Sequence, residues 1–447
     1  MSTVNATISN IMPQVMRFVN SRPIKAIKDG FLFTMPLTII GSVFLLLAFI
    51  PIPGYGDLMA SIFGDNWQSP LWQVVGATFD ILALIGVFGI AYSWVQNEGY
   101  QGVSAGIFAI VSLLILNDNF ILAADGSSIG GVIPKAYMGG KGMIVAIFVG
   151  IFVGWLYSWC MKKNLTIKMP EGVPQGVANA FIALIPGALI IFSSFLIWIF
   201  FETSFDKTIV TVIYDFLQTP LQGLSDSLGG VIIVALLISL LWWCGVHGSA
   251  IVGGIIGPIV TANALQNQEL LLKGEQLIAG ENAKIVTNQF IDQYITFGGA
   301  GLTLGLVVCM LMFAKSVQFK DLGRVAIMPG IFNINEPVIF AFPIVFNPFM
   351  LIPFLAAPVI SVLMVYFTLA NGIVEPFTAI SVPWTTPMII SGFIVGGWKA
   401  AMLQVAVFLM TVCVYYPFMK AQDKMAQKNE EKQTDANEDD DALALQL

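Results

Sequence analysis

Residues 143–163 read MIVAIFVGIFVGWLYSWCMKK: nineteen residues without a charge, closed by Lys162 and Lys163. As a helix rising 1.5 Å per residue, the uncharged part is about 28 Å long, close to the roughly 30 Å hydrocarbon core of a bilayer. Two lysines at one end only suit a helix that spans lipid and stops at a headgroup surface. The rest of the chain repeats this reading. Of 447 residues, 57% are hydrophobic and 11% charged, and the mean hydropathy is +0.83. A soluble domain carries about a quarter charged residues.

Runs long enough to span lie at about 31–51, 71–95, 103–122, 143–161 and 177–201, then 229–247, 249–266, 294–314, 345–370 and 388–418. The expected fold is therefore an all-α polytopic membrane protein with about ten transmembrane helices. The first run reads as a retained span. Residues 1–30 contain Arg17, Arg22, Lys25 and Lys28 among Ile, Met, Val and Phe, a pattern for interfacial amphipathic helices. Residues 207–224 read as another. With the N-terminus inside, fourteen basic residues fall in the cytoplasm and five outside, with Lys399 ambiguous. That asymmetry obeys the positive-inside rule, and an even number of spans leaves both termini cytoplasmic.

The net charge of −7 comes largely from residues 421–447, with eight acids and three lysines. This acidic segment lacks apolar periodicity and is expected to be disordered. Cys160, Cys244, Cys309 and Cys413 all lie in or beside apolar runs, with no CxxC spacing, so neither disulfide nor metal chemistry is implied. No GxxxxGK[ST] loop points to nucleotide hydrolysis and no basic groove to nucleic acid. No cofactor is implied.

Two apolar stretches do not read as spans. Residues 325–343 include IFNINEPVIFAFP, and residues 371–387 read NGIVEPFTAISVPWTTP. Each carries one Glu-Pro, Glu336-Pro337 and Glu375-Pro376, and a proline seven or eight residues after the acid, Pro343 and Pro383. Irregular backbone at membrane depth survives only against protein or a watery cavity, so both are expected to be re-entrant hairpins. Residues 31–205 then form a plainer scaffold or dimerisation half, and residues 206–420 a substrate-bearing half.

An ionised side chain at membrane depth costs several kcal/mol and by default faces a cavity or a partner. Glu336 could cap a half-helix or pair with a base. With Asn333 and Asn335 beside it, the cluster better suits a ligand with many hydroxyls. His247, the one histidine, ends a span and is followed by Gly248, Gly253 and Gly254. Trp242, about one turn earlier, offers a flat face for a sugar ring, as does Trp384. Glu375 has apolar neighbours. Gln175 and Asn179 follow the proline-rich loop of IKMPEGVPQGVANAF, residues 167–181. Asp80, inside the second run, either pairs with a lysine or lines a path.

Taken together, LLWWCGVHG, NINEPVIFAFPIVFNP and IKMPEGVPQGVANAF resemble the membrane-spanning IIC component of the phosphoenolpyruvate-dependent sugar phosphotransferase system, in its lactose/cellobiose/diacetylchitobiose branch. RPIKAIKDGFLFTMPLTIIGS and VPWTTPMIISGFI fit as well, and the resemblance covers roughly residues 10–420. The family often reads Trp-Phe-Phe-Gly-Ile-His-Gly where this chain has Trp242 to Gly248. The resemblance implies a homodimer in a bacterial plasma membrane and an elevator-like motion. It also implies a disaccharide held by Glu336 and His247 near the hydroxyl that receives phosphate. The phosphoryl donor would be a phosphocysteine of IIB, itself charged by IIA. Both would be separate chains, since no cysteine lies outside apolar surroundings and the lone histidine sits in a membrane run. No residue of this chain would itself be phosphorylated. The rival reading is a secondary transporter driven by protons or sodium through Glu336, Glu375 or Asp80. A receptor that binds sugar without moving it is a third.

Overall fold

A computed structural model describes Arg17 and residues 20–50, 54–123, 127–167, 169–170, 172–342 and 344–444. Among them, seven helices are long and apolar enough to cross a bilayer: Arg22–Ala48, Ser69–Asn97, Gly140–Lys162, Gln175–Phe205, Gly248–Leu272, Pro348–Ala370 and Ile390–Glu431. Two further pairs pass only when joined across a bend. They are Ile209–Asp226 with Leu228–Trp243, bent by 79°, and Asn288–Leu302 with Leu304–Phe313, bent by 52°. The remaining apolar helix, Val103–Ile115, has 13 residues. Every one of the ten expected runs thus falls on an apolar helix or a bent pair.

The departures have local causes. The run expected over 103–122 stops early because Asn117, Asp118 and Asn119 follow it. Phe120–Leu122 then pairs antiparallel with Ser128–Gly130, a short ribbon in a fold expected to be all helix. The expected interfacial helix before residue 30 falls partly outside the described residues. Its described part, Arg22–Phe31, runs through a tight turn at Leu32–Thr34 into the first span. Residues 421–431, expected to be disordered, continue the last helix, which extends to Ala444.

By its internal packing the chain forms two compact units. The first comprises the described residues to Phe49, Gly54–Ser225 and Ala250–Glu269. Its helices approach through glycines. A Cβ on Gly89 would lie 2.3 Å from the Gly30 carbonyl oxygen, and one on Gly30 would lie 2.5 Å from the Ile90 nitrogen. Without those methyl groups, Arg22–Phe31 lies backbone to backbone on the helix Leu82–Asn97. Close backbone approach is how helices gain contact in lipid, where no hydrophobic force drives them together. Glu98, at the end of the second of these helices, receives both Arg22 and Lys162. Residues 250–269 join this unit through contacts such as Gly140 against Leu265 and the pair Lys141–Glu269 at 3.2 Å. The division by packing therefore differs from the boundary expected at residue 206.

The second unit comprises Asp226–Ser249 and Leu270–Leu447. Its buried centre contains polar side chains, among them Gln293, Ser391 and Gln404. The Gln404 amide accepts from Ile389 N at 2.7 Å and Gly392 N at 3.0 Å, and donates to Gln293 O and the Ser391 hydroxyl. Tyr294 stacks on Phe377 at 5.4 Å and donates to Ala400 O at 2.9 Å. These bonds matter because the last helix breaks at Gly396 and Gly397, where Gly397 has φ 70°. Backbone groups freed in an apolar medium need such partners.

Candidate functional site

The first of the two proline-broken stretches is a helix–turn–helix. Val317–Ile331 runs to the turn, and the short helix Glu336–Ala341 leaves it with Glu336 as its first residue and Pro337 next. Proline is well placed there, since the first turn of a helix has no partner for its N–H. Glu336 is half-buried, and its charge lies at the positive end of the short helix.

Both asparagines of the turn are engaged with backbone. Asn333 has φ 67°, a left-handed conformation that Asn adopts more readily than most residues. Its side-chain oxygen accepts from Gly298 N at 2.6 Å, and its amide donates to Trp384 O at 2.5 Å and Thr386 O at 3.1 Å. Asn335 donates to Ala300 O at 2.8 Å and to the Thr303 hydroxyl at 2.9 Å. The receiving loop, Gly298-Gly299-Ala300-Gly301, has positive φ at all three glycines. At Gly299 a Cβ would lie 2.1 Å from Asn335 Cγ, so only glycine lets the turn seat there.

Trp384 therefore lies beside this turn through its backbone, and it is 53% exposed. The rest of 371–387 has no helix. Pro343 lies outside the described residues.

His247 belongs to a tight loop between Leu228–Trp243 and Gly248–Leu272. It is exposed, and its ring lies 4.4 Å from that of the buried Trp242, tilted by 46°. The Trp242 indole N–H donates to the Ser249 hydroxyl at 3.3 Å, so Trp242 supports His247 from beneath rather than offering an open face. The loop is fastened to the segment that follows Glu336–Ala341. Phe346 N donates to Trp243 O at 3.0 Å, and the Trp243 indole donates to Asn347 O at 2.9 Å. The segments bearing Glu336, His247 and Trp384 are thus tied together by hydrogen bonds inside one unit.

The other expected residues lie elsewhere. Glu375 is exposed in a cavity of about 670 Å³ lined also by Glu275, Asn371 and Pro376, and by none of Asn333, Asn335, Glu336 or His247. Gln175 and Asn179 belong to the first unit, where the Gln175 amide donates to Asn179 Oδ1 at 2.9 Å. Asp80, left between two readings, pairs with Lys135 at 3.6 Å.

Two sets of residues escaped the sequence. The first is the row Asn288, Asp292 and Gln293, on a one-turn π-helix over Ile291–Ile295 and the turn before it. The expected span began at residue 294 and left this row outside. The second is Asp423 and Glu430 on the last helix. Asp423 accepts from Lys315 N, Ser316 N and the Ser316 hydroxyl, and Glu430 from Val317 N and Gln318 N. Together they cap the helix that leads to the Glu336 turn. An acid-rich tail hides such pairs, because charge count alone does not show spacing.

Comparison with known proteins converges on one family. The model of the phosphotransferase system, EIIC, matches residues 28–358. The lichenan permease IIC component of Bacillus subtilis is 39% identical over 460 aligned positions, covering 100% of both chains. The cellobiose-specific EIIC component of Geobacillus stearothermophilus is 40% identical, covering 95% of each. The crystal structure of ChbC, the IIC component from the N,N'-diacetylchitobiose-specific phosphotransferase system, aligns with a TM-score of 0.90 and 40% identity over 95% of this chain and 99% of that one. With its apolar helices, its polar-cored second unit and these matches over nearly its whole length, the chain belongs to the EIIC family of the phosphotransferase system, as a multi-pass membrane protein.

Proposed function

We propose that this chain is the IIC permease for a β-linked disaccharide of the cellobiose or diacetylchitobiose type. It binds the sugar from outside, carries it across the plasma membrane by an elevator-like motion within a homodimer, and presents its 6-hydroxyl to a separate IIB. Both termini lie in the cytoplasm, where IIA recharges IIB. The observation that carries this reading is the bonding of the Glu336, His247 and Trp384 segments to one another.

The chemistry asked of this chain is modest. Phosphoryl transfer needs position and charge stabilisation more than covalent help from the acceptor side. The S–P bond of the IIB phosphocysteine breaks as the bond from sugar O6 to phosphorus forms. The 6-hydroxyl proton passes to the Glu336 carboxylate or to His247, whichever faces that oxygen. Trp384 stacks on the C–H face of a ring. Asn333 and Asn335, whose amides are taken up within the protein, act on the ligand by fixing the turn on which Glu336 stands. A sugar phosphate carries nearly two negative charges, so Glu336 repels the product and favours its release.

Glu336→Gln keeps shape and hydrogen bonding but removes the charge and the basic oxygen. With purified, phosphorylated IIB, we expect turnover to fall by about 10²-fold or more, the scale of lost general-base catalysis. Turnover at the parent rate, with sugar binding intact, refutes the base role.

A further inference from the structure

We infer that Arg22, Lys162 and Lys163, with Trp155 and Trp159 beside them, form a site on the first unit for one anionic phospholipid. The cations hold its phosphate, and an acyl chain lies along the two tryptophans. The site does not depend on which sugar the chain carries.

The first observation is an anchored cluster of positive charge. Glu98, whose side chain is 8% exposed, follows the helix Leu82–Asn97. One of its carboxylate oxygens meets Arg22 Nε at 2.7 Å and the other meets Lys162 Nζ. A single buried acid thus gathers cations from two further helices, Arg22–Phe31 and Met143–Lys162. Both cations open outward, with side chains 67% and 41% exposed. A guanidinium has five N–H donors, so an arginine met at Nε and so exposed has donors left for a second oxyanion. Lys163 is exposed as well, and Asn164, at φ 55°, turns the chain directly after it. Lys25, exposed one turn beyond Arg22, adds to the surplus of positive charge over Glu98. The positive-inside bias accounts for basic residues at a membrane face. It does not require a buried acid that holds them together.

The second observation is the face below the lysines. Trp155, Trp159 and Lys163 follow at intervals of four residues, on one side of a helix. Trp155 is 51% exposed and Trp159 40%, while Val153, Tyr157 and Cys160 between and beside them are buried. Along the helix axis the tryptophans lie about 12 and about 6 Å from Lys163. Both distances fit inside one leaflet, whose hydrocarbon is about 15 Å deep. Tryptophan suits that boundary, since its ring is apolar and its N–H polar.

Charge at one end and aromatic length below it match a phospholipid. A free phosphate would use the cations and leave the tryptophans idle. A zwitterionic lipid carries its own positive group and gains less from the surplus. An anionic headgroup such as phosphatidylglycerol gains from both parts.

The test uses the full chain purified in detergent, with phosphatidylglycerol and phosphatidylcholine as probes and bound lipid counted by native mass spectrometry over a titration. The parent should retain phosphatidylglycerol at several-fold lower concentration than phosphatidylcholine. Lys163→Gln leaves both Glu98 pairs in place and should weaken phosphatidylglycerol about fivefold, the worth of one basic residue at an anionic surface, without affecting phosphatidylcholine. Lys424→Gln with Lys428→Gln, two exposed charges on the second unit, should retain phosphatidylglycerol as the parent does. Equal retention of the two lipids by the parent, or unchanged retention in Lys163→Gln, overturns the site. An equal loss in the Lys424 and Lys428 variant overturns it in favour of unspecific surface charge. Displacement of the lipid by millimolar inorganic phosphate overturns it in favour of a free-anion site. If Lys163→Gln instead converts two-copy particles to single chains at fixed lipid, the face is a contact between copies and the inference fails.

Discussion

Asn333 has the conformation and the bonds of a fastener. Its left-handed backbone at φ 67° aims one amide at two loops, with Gly298 on one side and Trp384 and Thr386 on the other. Asn333→Ala removes the partner of one N–H and two carbonyls, at about 1–3 kcal/mol for each group left buried and unsatisfied. We expect a lower midpoint of thermal unfolding in detergent together with reduced turnover; an unchanged melting curve contradicts the fastening role. His247 is the opposite case, exposed and backed by Trp242. His247→Ala should weaken equilibrium sugar binding by about tenfold or more, the scale of one or two lost hydrogen bonds to a polar ligand. Binding equal to the parent removes His247 from the site. At this scale the sequence singled out Glu336, His247 and Trp384 as unusual residues in an apolar setting, and the fold ties the segments that bear them together. What it did not show was the direction of each side chain. Asn333 and Glu336 are three residues apart, and only the fold distinguishes the group held by backbone from the group left half-buried.

Among elements, the helix Val317–Ile331 carries the Glu336 turn at one end and is capped at the other by Asp423 and Glu430. Charged hydrogen bonds to the first amides of a helix combine capping with a favourable helix dipole. Asp423→Ala strips three acceptor contacts at Lys315 and Ser316. We expect a loss of about 2–3 kcal/mol in the docking of this helix, read as faster amide exchange across residues 315–325. Exchange indistinguishable from the parent contradicts the latch. The ten apolar runs were readable because lipid demands length and composition together. The ends were less so. Val103–Ile115 stopped short where polar residues began, and the tail expected to be disordered continued as helix, with two of its acids meeting unpaired amides over a hundred residues away. Contacts at that sequence distance leave no local pattern.

At the level of the whole molecule, the two compact units each hold their own core, and residues 206–225 and 250–269 pack with the first. The groups proposed to meet the sugar, Glu336, His247 and Trp384, all belong to the second. A carrier that moves its ligand as cargo needs such a concentration of site residues in one body. The coupling of transport to phosphorylation belongs to this scale as well, since it depends on a partner chain and on two sides of a membrane. The decisive measurement reconstitutes the chain in sealed vesicles, with phosphorylated IIB at the face bearing the two termini and labelled cellobiose or diacetylchitobiose at the other. Label should cross and be recovered as the 6-phosphate, with uptake absent when IIB is unphosphorylated and indifferent to sodium or proton gradients. Recovery of free sugar accumulated in proportion to an ion gradient contradicts this coupling.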